Sequence, residues 1–228
     1  MPTFSAVVLD TETTQKIDTP EKPLEVVELA YMNAEPPYEV VSRRYKPLVP
    51  SAWGAVAIHH ILPEDLADCP PSRDAKKDLP QADYWVGHNI DFDWRALGCP
   101  PVRRICTLAL SRSLFPDLDS HTLSAMTYYA QGATAKTREK LRNAHSAGAD
   151  VALCLELFFF LRNQTKASTF EDLWNLSEEA RIPRKMSFGK FVGQPISAVD
   201  RGYASWYARQ PDPDQYVLEA FRRQGLLR

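Results

Sequence analysis

Residues 7–12 read Val7-Val8-Leu9-Asp10-Thr11-Glu12, three apolar side chains running into two acids separated by one threonine. A short, β-branched apolar run of this kind predicts a buried strand. Alternation along a strand sends Asp10 and Glu12 to the same face. Two carboxylates on one face of a buried strand are costly unless something cationic neutralises them. Hard divalent ions, Mg²⁺ or Mn²⁺, prefer such oxygen donors. Two acids at a strand end that simply face water are the other reading of this hexapeptide alone.

The 228 residues are enough for one full core and a small second module. With 44% hydrophobic and 25% charged residues the composition is that of an ordinary globular chain. The first strand begins almost at Met1, which argues against a signal peptide. The longest apolar run, Val151 to Leu161, carries Glu156 and is far short of a membrane span, so it predicts a core helix and no membrane partner. Cys69, Cys99, Cys106 and Cys154 lack metal-type spacing and read as free thiols of a reducing, cytoplasmic protein. A net charge of −2 excludes a generic nucleic-acid-coating protein. The charge is nonetheless uneven. Residues 1–100 carry 9 basic and 16 acidic side chains, residues 101–142 carry 7 and 3, and residues 181–228 carry 9 and 4. Basic blocks on an acidic body suit a protein that tracks phosphates while its acids hold metal.

Along the chain, Thr13 to Pro23 predicts a loop, Leu24 to Tyr31 a second strand and Tyr38 to Tyr45 a third. Glu28 falls in the second strand, either lining the same site as Asp10 or serving as a structural partner. Pro63-Glu64-Asp65-Leu66 predicts a helix start with proline in its first position. Asp83 to Gly87 predicts a short strand, followed by His88 and Asn89 and a helix from Ile90 to Leu97 with Phe92 and Asp93 in its first turn. Ile105 to Phe115 and Ser120 to Tyr129 show helical spacing, with His121 expected on a surface. Lys136 to Arg142 predicts a basic loop or short helix. His145 lies on the loop that feeds the long apolar helix, and Asp150 in that helix's first turn. Asp10, Glu12, Asp93 and Asp150 with His145 form the set that two-metal hydrolysis of a phosphodiester needs: four carboxylates to hold two ions, and a histidine to take the proton from the attacking water.

With these residues in view, the chain resembles the DEDDh class of 3′–5′ exonucleases, the DnaQ-like proofreading type on an RNase H-like fold. Three motifs carry the resemblance: Leu9-Asp-Thr-Glu-Thr13, Gly87-His-Asn-Ile-Asp-Phe-Asp93 and His145-Ser-Ala-Gly-Ala-Asp150. Val26 to Ala30, Ile58-His59 and Cys106-Thr107 also fall where that class has similar residues. Within the class the similarity extends to the bacterial exodeoxyribonuclease X family. It includes the small C-terminal module of that family, here Met186 to Ile196 followed by Tyr203-Ala-Ser-Trp206.

The resemblance implies an α/β fold, a mixed RNase H-like sheet flanked by helices over residues 1–165. A helical linker over 166–183 and a small α+β module over 184–228 complete it. It implies two Mg²⁺ or Mn²⁺ ions on Asp10, Glu12, Asp93 and Asp150, with His145 as general base. The expected product is nucleoside 5′-monophosphate, released from single-stranded, frayed or mismatched DNA 3′ ends in DNA repair, with possible association with repair or replication proteins. Nucleic-acid contacts are expected at Thr11, Thr13, His59, His88, Asn89 and Phe92. Lys136, Arg138, Lys140, Arg142, Lys185 and Lys190 are expected to follow the phosphates. The C-terminal module either stabilises the core or holds DNA. Two alternatives stay open: a 3′–5′ exoribonuclease or polymerase proofreader, and a nucleic-acid-binding module with a dead site. Asp91 inside the second motif and the loop from Thr14 to Pro23 depart from the relatives, and they bear on strand preference.

Overall fold

In the computed structural model of the chain, residues 4–16, 24–142 and 146–228 are described. They form two compact units, residues 1–177 and 178–228, with the division inside one helix.

The first unit is built on a mixed five-stranded sheet in the order β3-β2-β1-β4-β5. Its strands are β1 (Phe4–Thr13), β2 (Val26–Asn33), β3 (Val40–Arg44), β4 (Ala82–Gly87) and β5 (Arg103–Cys106). Strand β1 pairs antiparallel with β2 and parallel with β4. As the central strand it buries consecutive residues, Ala6, Val7, Val8 and Leu9, on both faces. That explains why its apolar stretch is a run rather than an alternation. Strand β3 is an edge strand, and Arg43 and Arg44 charge it against further pairing.

Strand β5 and helix α3 (Thr107–Leu114) together replace the single helix expected from Ile105. Four residues led by two arginines show no strand period. It is the parallel pairing Val86↔Ile105 and Gly87↔Cys106 that makes them a strand. Pro63 does stand first in a turn of helix, but only in a four-residue 3₁₀ segment, Pro63–Leu66. Asp65 closes it by accepting the Leu62 N–H at 2.8 Å. Before it lies α1 (Trp53–His59).

The remaining helices of this unit are α2 (Ile90–Ala96), α4 (Leu123–Gln131), α5 (Ala135–Arg142), α6 (Ala147–Asn163) and α7 (Phe170–Arg181), the last crossing into the second unit. Helix α6 is apolar nearly all round, as a fully packed helix must be. It packs against four strands, β1 to β4, and against α3 and α4. Val151, Cys154, Leu157, Phe158 and Leu161 are buried on it, each such large side chain contributing about 1.5–3 kcal/mol. The second unit contains α8 (Arg201–Tyr207) and α9 (Gln215–Arg223). Its own core is Met186, Ile196, Val199, Ala204, Val217, Ala220 and Phe221. No helix among the described residues is long and apolar enough to cross a membrane. All four cysteines are free.

Candidate active site

The parallel pairing of β1 with β4 runs from Phe4↔Ala82 to Val8↔Val86, so β1 continues past it and carries its acids beyond the strand junction. Gly87 ends β4 there. A Cβ on Gly87 would lie 2.7 Å from Ile90 Cδ1 and 3.0 Å from the Leu9 carbonyl, which is why glycine opens the second motif. The chain then turns through Asn89 at φ 75°, a left-handed conformation that asparagine tolerates. This turn starts α2 and brings Asp93 back toward β1. Thr11 meets it: Asp93 Oδ1 accepts the Thr11 backbone N–H at 2.9 Å and the Thr11 hydroxyl at 2.7 Å.

Asp10 and Glu12 share a face of β1, opposite Ala30 and Glu28 of β2. Asp150 enters from the first turn of α6, whose N-cap Ser146 accepts the Ala149 N–H. Carboxylate oxygens of Asp10, Glu12 and Asp150 all lie within 4.8 Å of one another. Among the described residues, neither Asp10 nor Glu12 forms an ion pair with a basic side chain.

Burial, followed by the charges of Asp93, Asp150, Glu12 and Glu28, raises the Asp10 carboxyl well above its ordinary range. Burial and then Asp150, Glu28 and Asp93 push Glu12 up to about 8. Asp93 is also raised, by burial first, although both Thr11 hydrogen bonds pull it down. Acids this close and this buried want positive charge, and the all-oxygen donor set suits a hard divalent cation. Of the acids expected as ligands, the fold brings Asp10, Glu12 and Asp150 together, and Thr11 holds Asp93 alongside.

Glu28 makes structural bonds while its charge also bears on Asp10 and Glu12. Its Oε1 accepts the Ser42 hydroxyl at 2.9 Å, and its Oε2 accepts the Ala147 N–H at 3.0 Å, at the start of α6. Arg44 lies 3.7 Å away. His145 lies outside the described residues.

Several expected nucleic-acid contacts have other occupations. Thr11 spends its N–H and its hydroxyl on Asp93. Thr13 is buried, and its hydroxyl donates to the Gln15 carbonyl at 2.8 Å. His59 is buried at the end of α1, and its Nδ1 accepts the Ile61 N–H at 2.9 Å. His88 bridges Thr107 Oγ1, 3.0 Å from Nδ1, and the His121 carbonyl, 2.8 Å from Nε2. A carbonyl can only accept, so Nε2 carries a proton, and it is desolvation rather than this bond that keeps the ring neutral near pH 7. Burial holds it down to about 4. His121, expected at a surface, is half-buried and bonds the Phe115 carbonyl at 2.8 Å.

Lys140 lies 2.7 Å from Glu156 and Arg142 lies 2.9 Å from Glu139. Lys136 and Arg138 on the same helix are exposed, as is Asn89; Phe92 is half-buried. Asp91, the extra acid of the second motif, pairs with Arg104 at 2.9 Å, and that guanidinium sits 3.7 Å over the Trp94 ring. Lys185 and Lys190 belong to the second unit and are exposed.

One residue escaped the sequence reading altogether. Trp53 is 89% exposed at the head of α1, next to Ala52, whose N–H donates to the Thr14 carbonyl at 2.8 Å. That bond ties the helix start to the chain two residues beyond Glu12. The only signal was a tryptophan outside any apolar period.

The comparisons with known proteins agree with this geometry. No protein-family model matches the chain. Exodeoxyribonuclease 10 of Escherichia coli strain K12 is 28% identical over 169 residues, covering 73% of this chain and 75% of that protein. A solved structure described as exonuclease X in complex with 5′ overhanging duplex DNA matches with a TM-score of 0.64 and 26% identity. The match covers 75% of this chain and 99% of that one. Over about three quarters of its length the chain is thus similar to exonucleases of this type. The zinc-bound E. coli exonuclease I complex with single-stranded DNA shares the fold at a TM-score of 0.57. At 18% identity over 41% of that chain, it speaks for the fold alone. The mixed sheet with helices on its faces matches the fold of these exonuclease structures.

Proposed function

We propose that the protein is a metal-dependent 3′–5′ exodeoxyribonuclease that hydrolyses the last phosphodiester of a single-stranded or frayed 3′ end and releases a nucleoside 5′-monophosphate. The observation that carries this is the meeting of Asp10, Glu12 and Asp150 oxygens within 4.8 Å in a chain related over 169 residues to an exodeoxyribonuclease. Asp10, Glu12 and Asp150 would hold divalent ions, Mg²⁺ or Mn²⁺ and two in number, with Asp93 as the fourth acid. When bound, such ions lower the pKa of an attacking water and neutralise charge on the leaving oxygen.

The chain's own contribution is position and proton transfer. Thr11 fixes Asp93, and Glu28 fixes the start of α6 and with it Asp150. His145, five residues before Asp150, takes the proton from the water; an imidazole near its ordinary pKa is suited to that at neutral pH. Trp53 offers an exposed ring on which a base of the incoming strand stacks, and Lys136 and Arg138 follow its phosphates. The four free thiols support a reducing cytoplasmic setting, and a repair role is the expected use of such an activity.

The test is a time course on matched 5′-labelled single-stranded DNA and RNA with Mg²⁺, Mn²⁺ or EDTA, beside Asp10→Ala and His145→Ala. A ladder from the 3′ end of DNA that vanishes with EDTA and in both variants is the expected result. A faster ladder on RNA overturns the DNA assignment, and no ladder on either overturns the function.

A further inference from the structure

The second unit carries a surface that the hydrolytic site does not use. Its polypeptide folds residues 185–195 into a tight loop, in which Met186 N–H donates to the Gln194 carbonyl at 2.9 Å and Gly193 N–H to the Met186 carbonyl at 2.8 Å. Gly189 takes φ 70°, and any Cβ there would strike the Tyr203 hydroxyl. The glycine therefore lets α8 close on the loop, and the closure lines up four side chains. Lys190 Nζ lies 5.1 Å from the centre of the Phe191 ring. That ring meets Tyr203 edge-on at 5.0 Å, and Tyr203 meets Trp206 at 5.3 Å.

Phe191 and Tyr203 pack their inner edges on the unit's core. Trp206 lies at the end of the row, 49% exposed, and neighbouring Val192 is 61% exposed. Phe221, by contrast, is fully buried in the same unit.

The charge around the row decides what it fits. Residues 178–228 hold nine basic and six acidic side chains. The acids are largely engaged: Glu178 with Arg181, Glu179 and Glu219 with Arg223, and Asp200 with Lys190 at 3.7 Å. Lys185, Arg201 and Arg209 are exposed, with no salt bridge to an acid among the described residues. Arg201 opens the helix that carries Tyr203 and Trp206, and Arg209 follows it. Flat aromatic faces beside uncommitted cations are what unpaired bases and their phosphates require. A protein partner would instead be expected to meet an apolar patch with a depleted charge at its centre.

We propose that this face, Trp206 and Tyr203 with Lys190 at the rim, is a second contact for single-stranded nucleic acid. The proposal rests on the exonuclease reading for the identity of the ligand. Trp206 stacks on a base, and Lys190 exchanges Asp200 for a phosphate.

The experiment is equilibrium binding of a fluorescein-labelled oligothymidylate to the full chain in EDTA, where no hydrolysis competes. Trp206→Ala is expected to weaken binding about 5- to 150-fold, the range of one lost base–aromatic stack. Trp206→Phe is expected to restore most of it. Lys190→Gln is expected to lower the slope of log affinity against log salt by about one. With Mg²⁺, hydrolysis of a small phosphodiester, the p-nitrophenyl ester of thymidine 5′-monophosphate, is expected to be unchanged in kcat and KM. Wild-type affinity in Trp206→Ala, for both DNA and RNA oligomers, overturns the proposal and leaves a protein partner as the occupant. An unchanged salt slope in Lys190→Gln overturns the part assigned to that lysine. If the wild type fails to cut the small ester, the exonuclease reading fails, while the binding comparison still decides on this face.

Discussion

Replacing Glu12 with Gln should make the metal-free protein more stable, not less, at alkaline pH. Glu12 is ordinary in the unfolded chain, near 4.5, and is pushed up to about 8 in the fold by burial and by Asp150, Glu28 and Asp93. Below pH 4.5 both states hold the proton and nothing is lost. As pH rises from there to about 8 the unfolded carboxyl ionises first, so the folded state is progressively penalised. The full penalty from that shift is roughly 4–5 kcal/mol, and about 2–3 kcal/mol is a fair expectation for a side chain that water partly reaches. Coulomb's law gives a similar size: two charges no more than 4.8 Å apart, as in the cluster, repel by at least about 3 kcal/mol at an effective dielectric constant near 20. Glutamine keeps the shape and removes the charge. The assay is thermal unfolding in EDTA at pH 4.5 and pH 8.5, followed by the same scans with Mg²⁺. At pH 8.5 Glu12→Gln should melt about 5–10 °C above wild type, at pH 4.5 within a degree or so of it, and it should lose most of the Mg²⁺-induced rise that wild type shows. A lower melting point at pH 8.5, or an equal gain at both pH values, would refute the claim that charge repulsion dominates this site.

Thr11→Val removes one of two bonds to the buried Asp93 carboxylate and should cost about 1.5–3 kcal/mol, while Thr11→Ser keeps most of it; urea melts and the Mg²⁺ dependence of activity would show both. His88→Leu should lower stability at pH 7.5 without changing affinity for single-stranded DNA. In wild type the neutral His88 contributes stability above about pH 6.5 that is lost as pH falls toward about 4, so the variant's unfolding free energy should fall less over that range. Trp53→Ala should raise KM on single-stranded DNA about 5-fold or more with kcat on the p-nitrophenyl ester unchanged.

The acids of the site were legible because each is tied to a local pattern. Asp10 and Glu12 follow an apolar run within one strand, Asp93 falls in a first turn, and Asp150 in the first turn of an apolar helix. The supporting residues were legible in position but not in role. Nothing local distinguishes a histidine that meets substrate from one like His88, which is consumed by Thr107 and a carbonyl 33 residues away. Thr11 read only as a nucleic-acid contact, because its partner Asp93 is 82 residues distant. Lys140 and Arg142 read as phosphate contacts, and their ion pairs with Glu156 on another helix and Glu139 one turn back were not visible. Strand β5 was invisible for the same reason: its identity comes from its neighbour β4, and no proline or glycine separates it from α3. Pairings between distant segments carry this information, and a single sequence does not display them.

The bond between Glu28 and Ala147 spans 119 residues, and it changes what drift the protein can absorb. Through the first N–H of α6, a strand that the sheet holds fixed helps to place Asp150. Glu28, outside all three motifs, is therefore a position where substitution is expected to disturb the ligand cluster from the neighbouring strand.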